Sequence, residues 1–416
     1  MYSPLASNAM KKLITFMVLF VFLTSCSWGT TGRNTSKQAV QPTQTSYQRG
    51  TKHPEPTNSS PRGITPVPTV TPKAGQQQRV KRRDLVLFQS DKAIWKMDPS
   101  RGSAEVFLNL TCRELLLNPR TQDLTCIQPS KSKSTGLLLI NLETHKSKEI
   151  VSDNVIQAAW SQDGRYLAYT VTRDSNHDKK LELYLDRSLI YIKDIVRGST
   201  IRVGPGIDPA WDPRKPQLFF ATLGSRQGNK IMSYSLASRA FKEVVAIKDL
   251  PKDLSQYGVP FATKLNLLRH PSISYDGSRL AISAYGSTAL LITLDLHKPD
   301  KNNIHVEDFA PESSFEHLVW GPNSHKLAYE VLTPSGLDQL AVLDVSTGNR
   351  EIFGDIRSGI GYTEPAWAPD GKHLIATRTY RNRAKGIYMI TLGNQRIRTL
   401  KPGYYSKSLW IRVLTR

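Results

Sequence analysis

The chain has 416 residues, 39% of them hydrophobic, and a formal net charge of +21. This length allows one large or two ordinary domains with a buried core. The positive charge would attract anionic lipid headgroups, cell-wall polymers or an acidic protein, although it could also serve solubility alone. Nucleic acid is not expected as a partner, because the N-terminal residues have the features of an export signal.

Residues 1–25 are predicted to be a signal peptide. A basic pair, Lys11-Lys12, precedes an apolar run over residues 13–23, which is too short to span a membrane. The four residues that close this segment resemble a bacterial lipobox: Leu23-Thr24-Ser25-Cys26. The resemblance implies that Cys26 is acylated with diacylglycerol, becomes the first residue after cleavage and anchors the protein to a membrane. We therefore expect the protein in the bacterial cell envelope.

The residue after the anchor, Ser27, is not the aspartate that retains many lipoproteins at the inner membrane. If the organism has an outer membrane, its periplasmic side is the expected location.

Residues 26–83 are expected to form a disordered tether that begins at the lipidated cysteine. They are rich in Thr, Ser, Gln and Pro, and residues 27–83 carry ten Lys or Arg against one acid, Glu55. Such a composition cannot bury a core. As a flexible coil the segment would span on the order of 40 Å, which holds a domain clear of a bilayer.

From Asp84 onward, short apolar segments alternate with turn signals, which predicts an all-β domain over residues 84–416. A repeat then indicates the architecture. Each copy reads as a strand that ends at an aromatic residue, a two-residue Asp-Gly hairpin turn and a second strand. Two further strands follow in each unit, and four strands are typical of a β-propeller blade, with the tryptophans wedged between blades. The clearest copies are Trp160-Ser161-Gln162-Asp163-Gly164 and Trp367-Ala368-Pro369-Asp370-Gly371, and looser copies lie at Trp211, Ser274, Trp320 and Leu117.

The two ends of the domain are predicted to complete one blade together. Residues 84–109 supply three strands without a first one, and the segment around Trp410 resembles a first strand without successors. We expect strand 408–414 to close the ring, which removes the exposed sheet edges. Six repeat units and this shared blade favour seven blades; six is the alternative if the weak copy at Leu117 is misread.

These Trp-x-Pro-Asp-Gly units resemble the repeats of the TolB family of periplasmic β-propellers over about residues 84–416. The resemblance implies a closed propeller that acts as a scaffold for partners in the cell envelope. The sequence differs from that family in having no N-terminal α/β domain before the propeller, in its own predicted lipid anchor and in favouring seven blades over six. It therefore does not predict membership of a Tol complex.

A disulfide is expected between the two cysteines that remain after signal cleavage, Cys112 and Cys126. They flank the turn of the weakest repeat, and disulfides persist in an exported protein. Simple register counting leaves the two residues offset by about three positions, so their geometry allows this bond without enforcing it.

A search for reactive groups predicts no catalytic residue, no metal ligand and no cofactor. The sequence contains no Gly-x-Ser-x-Gly elbow and no His-Glu-x-x-His pair, and its Asp-Gly turns lack the alternating acids of calcium loops. The isolated histidines are expected to be solvated or core residues: His177, His270, His317 and His373.

Blade topology predicts where a partner binds. With strands A to D in each blade, the A–B and C–D turns lie on one face of the disc, the turn face, and the B–C and D–A loops on the other, the loop face. Two insertions, around residues 173–180 and 248–269, both lengthen the loop face, and long loops on one face usually mark a binding side. The candidate partner-binding residues are Arg173, Lys179, Lys180, Arg226, Lys230, Tyr257, Phe261, Arg381 and Arg383. Their charge favours an anionic partner, with ordinary solvated loops as the alternative.

Three functions remain in competition at this point. The leading hypothesis is a lipid-anchored, non-catalytic protein-interaction scaffold of the cell envelope, whose partner is an envelope protein or an anionic polymer. The second is a propeller lyase or hydrolase that acts on an anionic polysaccharide. The third is a structural lipoprotein that binds the cell wall through its cationic tether. The oligomeric state is left open.

Overall fold

A computed structural model describes residues 81–90, 92–128, 136–175, 177, 186–223, 229–259, 264–298, 303–381 and 383–415. Every described residue belongs to one compact unit, Gln76–Arg416. The predicted anchor, Cys26, lies outside the described residues.

The described residues form seven four-stranded antiparallel sheets, which confirms the predicted all-β propeller with seven blades. From the inner to the outer strand, blade 1 contains β28 (Ser406–Thr415), β1 (Lys81–Gln89), β2 (Ile94–Met97) and β3 (Ala104–Leu108). Blade 2 contains β4 (Glu114–Leu117), β5 (Leu124–Gln128), β6 (Gly136–Ile140) and β7 (Ser147–Ser152). Blade 3 contains β8 (Val155–Trp160), β9 (Tyr166–Arg173), β10 (Arg187–Asp194) and β11 (Thr200–Pro205).

The remaining four blades follow the same order along the chain. Blade 4 contains β12 (Ile207–Trp211), β13 (Gln217–Thr222), β14 (Lys230–Ser235) and β15 (Phe241–Ala246). Blade 5 contains β16 (Leu265–Ile273), β17 (Arg279–Gly286), β18 (Thr288–Asp295) and β19 (Ile304–Pro311). Blade 6 contains β20 (Ser314–Trp320), β21 (Lys326–Leu332), β22 (Asp338–Asp344) and β23 (Asn349–Phe353). Blade 7 contains β24 (Ile360–Trp367), β25 (His373–Tyr380), β26 (Arg383–Thr391) and β27 (Arg396–Pro402).

The inner strands close a ring around a central channel, because each packs against the inner strands of both neighbouring blades. The hydrophobic core lies between the blades. For example, Phe353 and Leu340 of blade 6 pack with Tyr362 and Leu374 of blade 7. Two short 3-10 turns lie in the loop between β15 and β16, and no described helix could span a membrane.

Ring closure by the C-terminal strand is confirmed. β28 pairs antiparallel with β1, with Ile411 opposite Leu85. Phe88 of β1 packs with Ile375 and Ile387 of blade 7, so the closing blade is also joined to its neighbour through the core. β1 begins at Lys81, which extends the propeller upstream of the expected boundary at residue 84.

The tryptophans that end the inner strands hold neighbouring blades together. Each of four indole N–H groups donates a hydrogen bond to the preceding blade: Trp160 to Thr125 Oγ1 at 3.0 Å, Trp211 to the carbonyl of Ala159 at 3.0 Å, Trp320 to that of Ser272 at 2.9 Å and Trp367 to that of Val319 at 3.0 Å. The equivalent N–H of Trp410 is buried without a partner among the described residues.

The Asp-Gly turns differ from the expected two-residue hairpin. In blade 3, Ser161 N–H bonds to the carbonyl of Tyr166 at 2.8 Å, which leaves a longer loop between the strands. Within this turn, Gly164 is the residue with a positive φ, of 65°. Asp163 instead accepts hydrogen bonds from the hydroxyl of Ser161 at 2.6 Å and the N–H of Arg165 at 3.1 Å, so the aspartate caps the turn and the glycine supplies the left-handed residue.

Candidate functional site

The loop face carries the predicted binding residues, but the structure describes only some of them. Four of the nine lie outside the described residues: Lys179, Lys180, Arg226 and Phe261. Arg173 ends β9 and Lys230 begins β14, while Tyr257, Arg381 and Arg383 lie in or beside loops of the same face. This face therefore contains all five of the predicted residues that are described.

Two of the predicted cations are already neutralised. Arg173 Nη2 lies 2.7 Å from Asp153 Oδ2, and Lys230 Nζ lies 3.0 Å from Glu243 Oε2. Lys230 is also only about one-fifth exposed. These side chains are less available to an anionic partner than their positions in the sequence imply.

Tyr257 has a packing role. It lies in the second 3-10 turn and contacts the apolar cluster of blades 4 and 5, where Leu254 and Val259 are also buried. The insertion between β15 and β16 is thus anchored on the core, and Tyr257 is only partly accessible.

Arg381 and Arg383 lie at the hairpin between β25 and β26 in blade 7, and both are exposed. Arg381 adopts a positive φ of 47°, and its N–H bonds to the carbonyl of Gly359 at 2.9 Å, which joins the hairpin to the preceding D–A loop. Its guanidinium carbon lies 5.4 Å from the ring centre of Tyr380. Unlike Arg173 and Lys230, neither arginine forms an ion pair with any described residue.

A ring of polar side chains on the inner strands was missed by the sequence analysis. It occupies the position three residues before each tryptophan or its equivalent. One residue comes from each blade, in order from blade 1 to blade 7: Lys407, Glu114, Gln157, Asp208, His270, His317 and Glu364. The sequence signal was present, since every repeat has a polar residue there, but the repeats were aligned on their tryptophans and turns.

The polar ring is built on irregular backbone. In five of the seven inner strands the residue at this position has a positive φ, between 47° and 55°: Asp208, His270, His317, Glu364 and Lys407. The strand register shifts at the same places, as in a β-bulge. Bulges re-aim side chains, and left-handed non-glycine residues cost conformational energy, so the surrounding contacts must hold them.

Those contacts run from one blade to the next. The side-chain oxygen of Gln157 accepts the N–H of Asp208 at 2.9 Å, and Asp208 in turn accepts the N–H of His270 at 3.1 Å. Burial alone would raise the pKa of Asp208, but the guanidinium of Arg269 beside it holds the pKa well below its usual range. The carboxylate of Glu364 likewise accepts the N–H of Lys407 across the closing interface.

Charges in the ring influence each other across the channel. Burial raises the pKa of Glu114 to about 7, although the positive charges of His317 and Lys407 lower it. The carboxylate of Glu330, on β21, raises the pKa of His317 to about 10, while burial lowers that of His270 to about 4. At neutral pH His317 is therefore a cation and His270 is neutral. His317 Nδ1 lies 3.0 Å from Glu330 Oε1, and His373 Nδ1 likewise lies 2.6 Å from Asp370 Oδ2.

A pocket of about 640 Å³ opens on the turn face between blades 1 and 7. Part of its charged lining is paired: Arg83 Nε lies 3.2 Å from Asp98 Oδ2, and Arg412 Nε lies 2.6 Å from Asp84 Oδ1. Arg398 instead donates to the carbonyl of Pro99 at 2.6 Å, and the formal charges of the lining arginines and aspartates cancel. This pocket offers no excess charge to an ion. Across the described part of the chain, no group of three or more His, Cys, Asp or Glu side chains is placed to hold a metal.

The predicted cysteine pair is joined in the structure. Cys112 and Cys126 form a disulfide with their Cα atoms 5.4 Å apart, and both are buried. Cys126 is paired in register with Leu115, three positions from Cys112, as the offset from register counting implied. Cys112 reaches its partner because it precedes β4 and is free of the ladder.

Comparisons with known proteins bear on the fold. No protein-family model matches the chain, and no curated protein matches it. Among solved structures, puromycin hydrolase aligns with a TM-score of 0.53 at 9% identity, over 78% of this chain and 52% of that one. TolB from Acinetobacter baumannii aligns at 0.44 and 14% identity, over 79% and 82% of the two chains. A putative TolB from Agrobacterium tumefaciens aligns at 0.40 and 10% identity, over 81% and 99%. At these identities the likeness is one of fold alone.

Proposed function

We propose that this protein is a lipid-anchored scaffold of the bacterial cell envelope that binds a protein partner on its loop face without catalysing a reaction. The observation that carries the proposal is a pair of exposed cations on the loop face of blade 7. Arg381 and Arg383 lie at one hairpin, and neither forms an ion pair with any described residue. Unpaired surface charge speeds the association of complementary partners.

β1 is the second strand of blade 1, so it runs from the turn face to the loop face, and Lys81 lies at the turn face. The lipobox-like sequence at Cys26 is the basis for the anchor itself.

The proposal is tested by photo-crosslinking in cells. A photoreactive phenylalanine analogue replaces Tyr404 or Lys252 on the loop face, or Tyr275 on the turn face. Tyr404 and Tyr275 make a matched pair, because both are exposed tyrosines, at 71% and 48%. We expect protein adducts from at least one loop-face position and none from Tyr275. Adducts from Tyr275 alone would show that the turn face is the binding side.

The anchor is tested separately. Cys26→Ala removes the thiol to which the lipid would be attached, so the variant should remain uncleaved or become soluble. Membrane fractionation and intact mass measure the outcome. Unchanged fractionation together with an unchanged mass would refute lipidation at Cys26.

The second candidate, a lyase or hydrolase for an anionic polysaccharide, would have to use the polar ring, where Glu114 has a pKa of about 7. Turnover of polygalacturonate that is lost in Glu114→Gln would favour this candidate over the scaffold.

A further inference from the structure

Blade 7 presents a patch on the loop face that combines cations with aromatic and aliphatic surface. We call it the blade-7 patch and define it by six exposed residues: Ile356, Tyr380, Arg381, Arg383, Lys385 and Tyr404. Three chain segments meet in it, namely the D–A loop before β24, the β25–β26 hairpin and the D–A loop after β27. Backbone bonds hold these segments together, from Arg381 N–H to the carbonyl of Gly359 at 2.9 Å and from Gly403 N–H to that of Lys385 at 3.1 Å.

The cations of this patch are unpaired. Within the described part of the chain, Arg381, Arg383 and Lys385 form no ion pair, in contrast to Arg173 and Lys230 on other blades of the same face. The nearest acid in the adjoining loop is Asp355, whose carboxylate accepts the N–H of Arg357 at 2.9 Å. Blade 7 therefore brings three exposed cations without a described ion-pair partner into one patch of the loop face.

The aromatic side chains of the patch are exposed and held in place. Tyr404 is 71% exposed and Tyr380 is 40% exposed. Arg381 lies over the ring of Tyr380, and Lys385 Nζ lies 5.6 Å from the ring centre of Tyr404. Cation–π contacts of this kind orient both partners while leaving the charge accessible.

We propose that the blade-7 patch docks an acidic segment of a partner protein. Carboxylates of the segment would bind Arg381, Arg383 and Lys385, and its apolar side chains would pack on Tyr404 and Ile356. This inference rests on the proposed scaffold function and adds to it the chemistry of the partner and the blade that receives it. Tyrosine and arginine are the residues that contribute most to protein–protein interfaces, which favours a protein over an anionic polysaccharide.

The test measures binding of the full-length protein to a defined probe. The probe is a short fluorescein-labelled peptide that alternates glutamates with leucines, and its affinity is measured by anisotropy at about 50 mM and about 300 mM salt. We expect saturable binding that weakens with salt. Reversal of the three cations, Arg381→Glu with Arg383→Glu and Lys385→Glu, should slow association by about tenfold or more at low salt. Tyr404→Ala should weaken binding mainly through faster dissociation.

A matched control reverses three exposed cations of the turn face with the same change in net charge: Lys215→Glu, Arg239→Glu and Lys372→Glu. This variant should bind the peptide as the wild type does, and thermal melts of both variants verify folding. Equal losses in the two triple variants would mean that only net charge matters and would overturn the inference. Tighter binding of polygalacturonate than of the peptide would overturn the choice of a protein segment.

The crosslinking described above separates the inference from the proposed function. Adducts from Tyr404 that disappear on charge reversal support both. Adducts from Lys252 but not from Tyr404 would leave the scaffold function standing and reject blade 7 as its docking site.

Discussion

Glu114 and Glu364 show how one position in the repeat takes two electrostatic roles. Both belong to the polar ring, on blades 2 and 7. Glu364 accepts hydrogen bonds from the N–H of Lys407 and, at 3.1 Å, from the hydroxyl of Thr377. Glu114 instead has its pKa raised to about 7 because burial outweighs the charges around it. The hydrogen bonds that Glu364 accepts therefore support the ring, whereas ionised Glu114 destabilises it.

This difference predicts opposite effects of the same substitution. The folded-state pKa of Glu114 lies above its unfolded value of 4.5, so its contribution to stability is present below pH 4.5 and is lost as the pH rises through about 7. Glu114→Gln replaces the buried carboxylate with a neutral amide. The variant should therefore raise the free energy of unfolding by about 2 kcal/mol at pH ~8, but not in mild acid. Glu364→Gln should destabilise the fold at both pH values. Denaturant titrations at the two pH values measure the effect, and a less stable Glu114→Gln at the higher pH would contradict it.

The disulfide gives a second prediction at the scale of single residues. The bond between Cys112 and Cys126 closes a loop with a sequence separation of 14. In the chain-entropy model such a loop stabilises the fold by about 3 kcal/mol. Reduction should lower the denaturation midpoint accordingly, while Cys112→Ser with Cys126→Ser should make the protein insensitive to reductant. Labelling of two thiols under denaturing, non-reducing conditions would disprove the bond.

At the scale of elements, the inner strands could be predicted because each repeat carries its own local signals. The copy at Leu117 was the weakest, since leucine replaces tryptophan there, yet β4 forms a complete blade with β5 to β7. The bulges could not be predicted from the repeat, because their left-handed residues are held by side chains of the neighbouring blade. Gln157, for example, bonds to Asp208 from the adjacent strand β8.

The tryptophans provide the prediction that belongs to this scale. Trp367→Ala should cost about 3–5 kcal/mol through loss of packing between blades 6 and 7. Conservative substitutions isolate the hydrogen bond. Trp367→Phe leaves the carbonyl of Val319 without its donor, whereas Trp410→Phe removes an N–H that has no described partner. We expect Trp367→Phe to cost about 1 kcal/mol more than Trp410→Phe in chemical denaturation. Equal costs would show that the indole hydrogen bond contributes little.

At the scale of the whole molecule, stability depends on joining the two ends of the propeller. β28 supplies the inner strand of blade 1, and Lys407 at its start donates to the carbonyl of Arg113 in blade 2. Without this strand the edge of β1 would be exposed and available for pairing with another chain.

Removal of residues 406–416 is therefore predicted to abolish the cooperative thermal transition and to cause aggregation, measured by calorimetry and light scattering. Arg412→Ala is the control. It removes a partly exposed ion pair with Asp84 but keeps the strand, so it should cost no more than about 1 kcal/mol. A truncated protein that melts cooperatively as a monomer would mean that closure is dispensable.

The sequence alone determined the propeller and its closing strand, because strand period, turn residues and repeat spacing are local and recur in every unit. It favoured seven blades but left six open, and the structure decided for seven. It also placed the candidate residues on one face, since the direction of each strand follows from its rank in the blade. Which of those cations remain free was decided only by the tertiary structure. Lys230 is neutralised by Glu243 across a strand pair and Arg173 by Asp153 on a neighbouring loop, whereas Arg381 forms no ion pair with any described residue. Availability for binding depends on neighbours brought together by folding, and a linear count of charge does not contain that information.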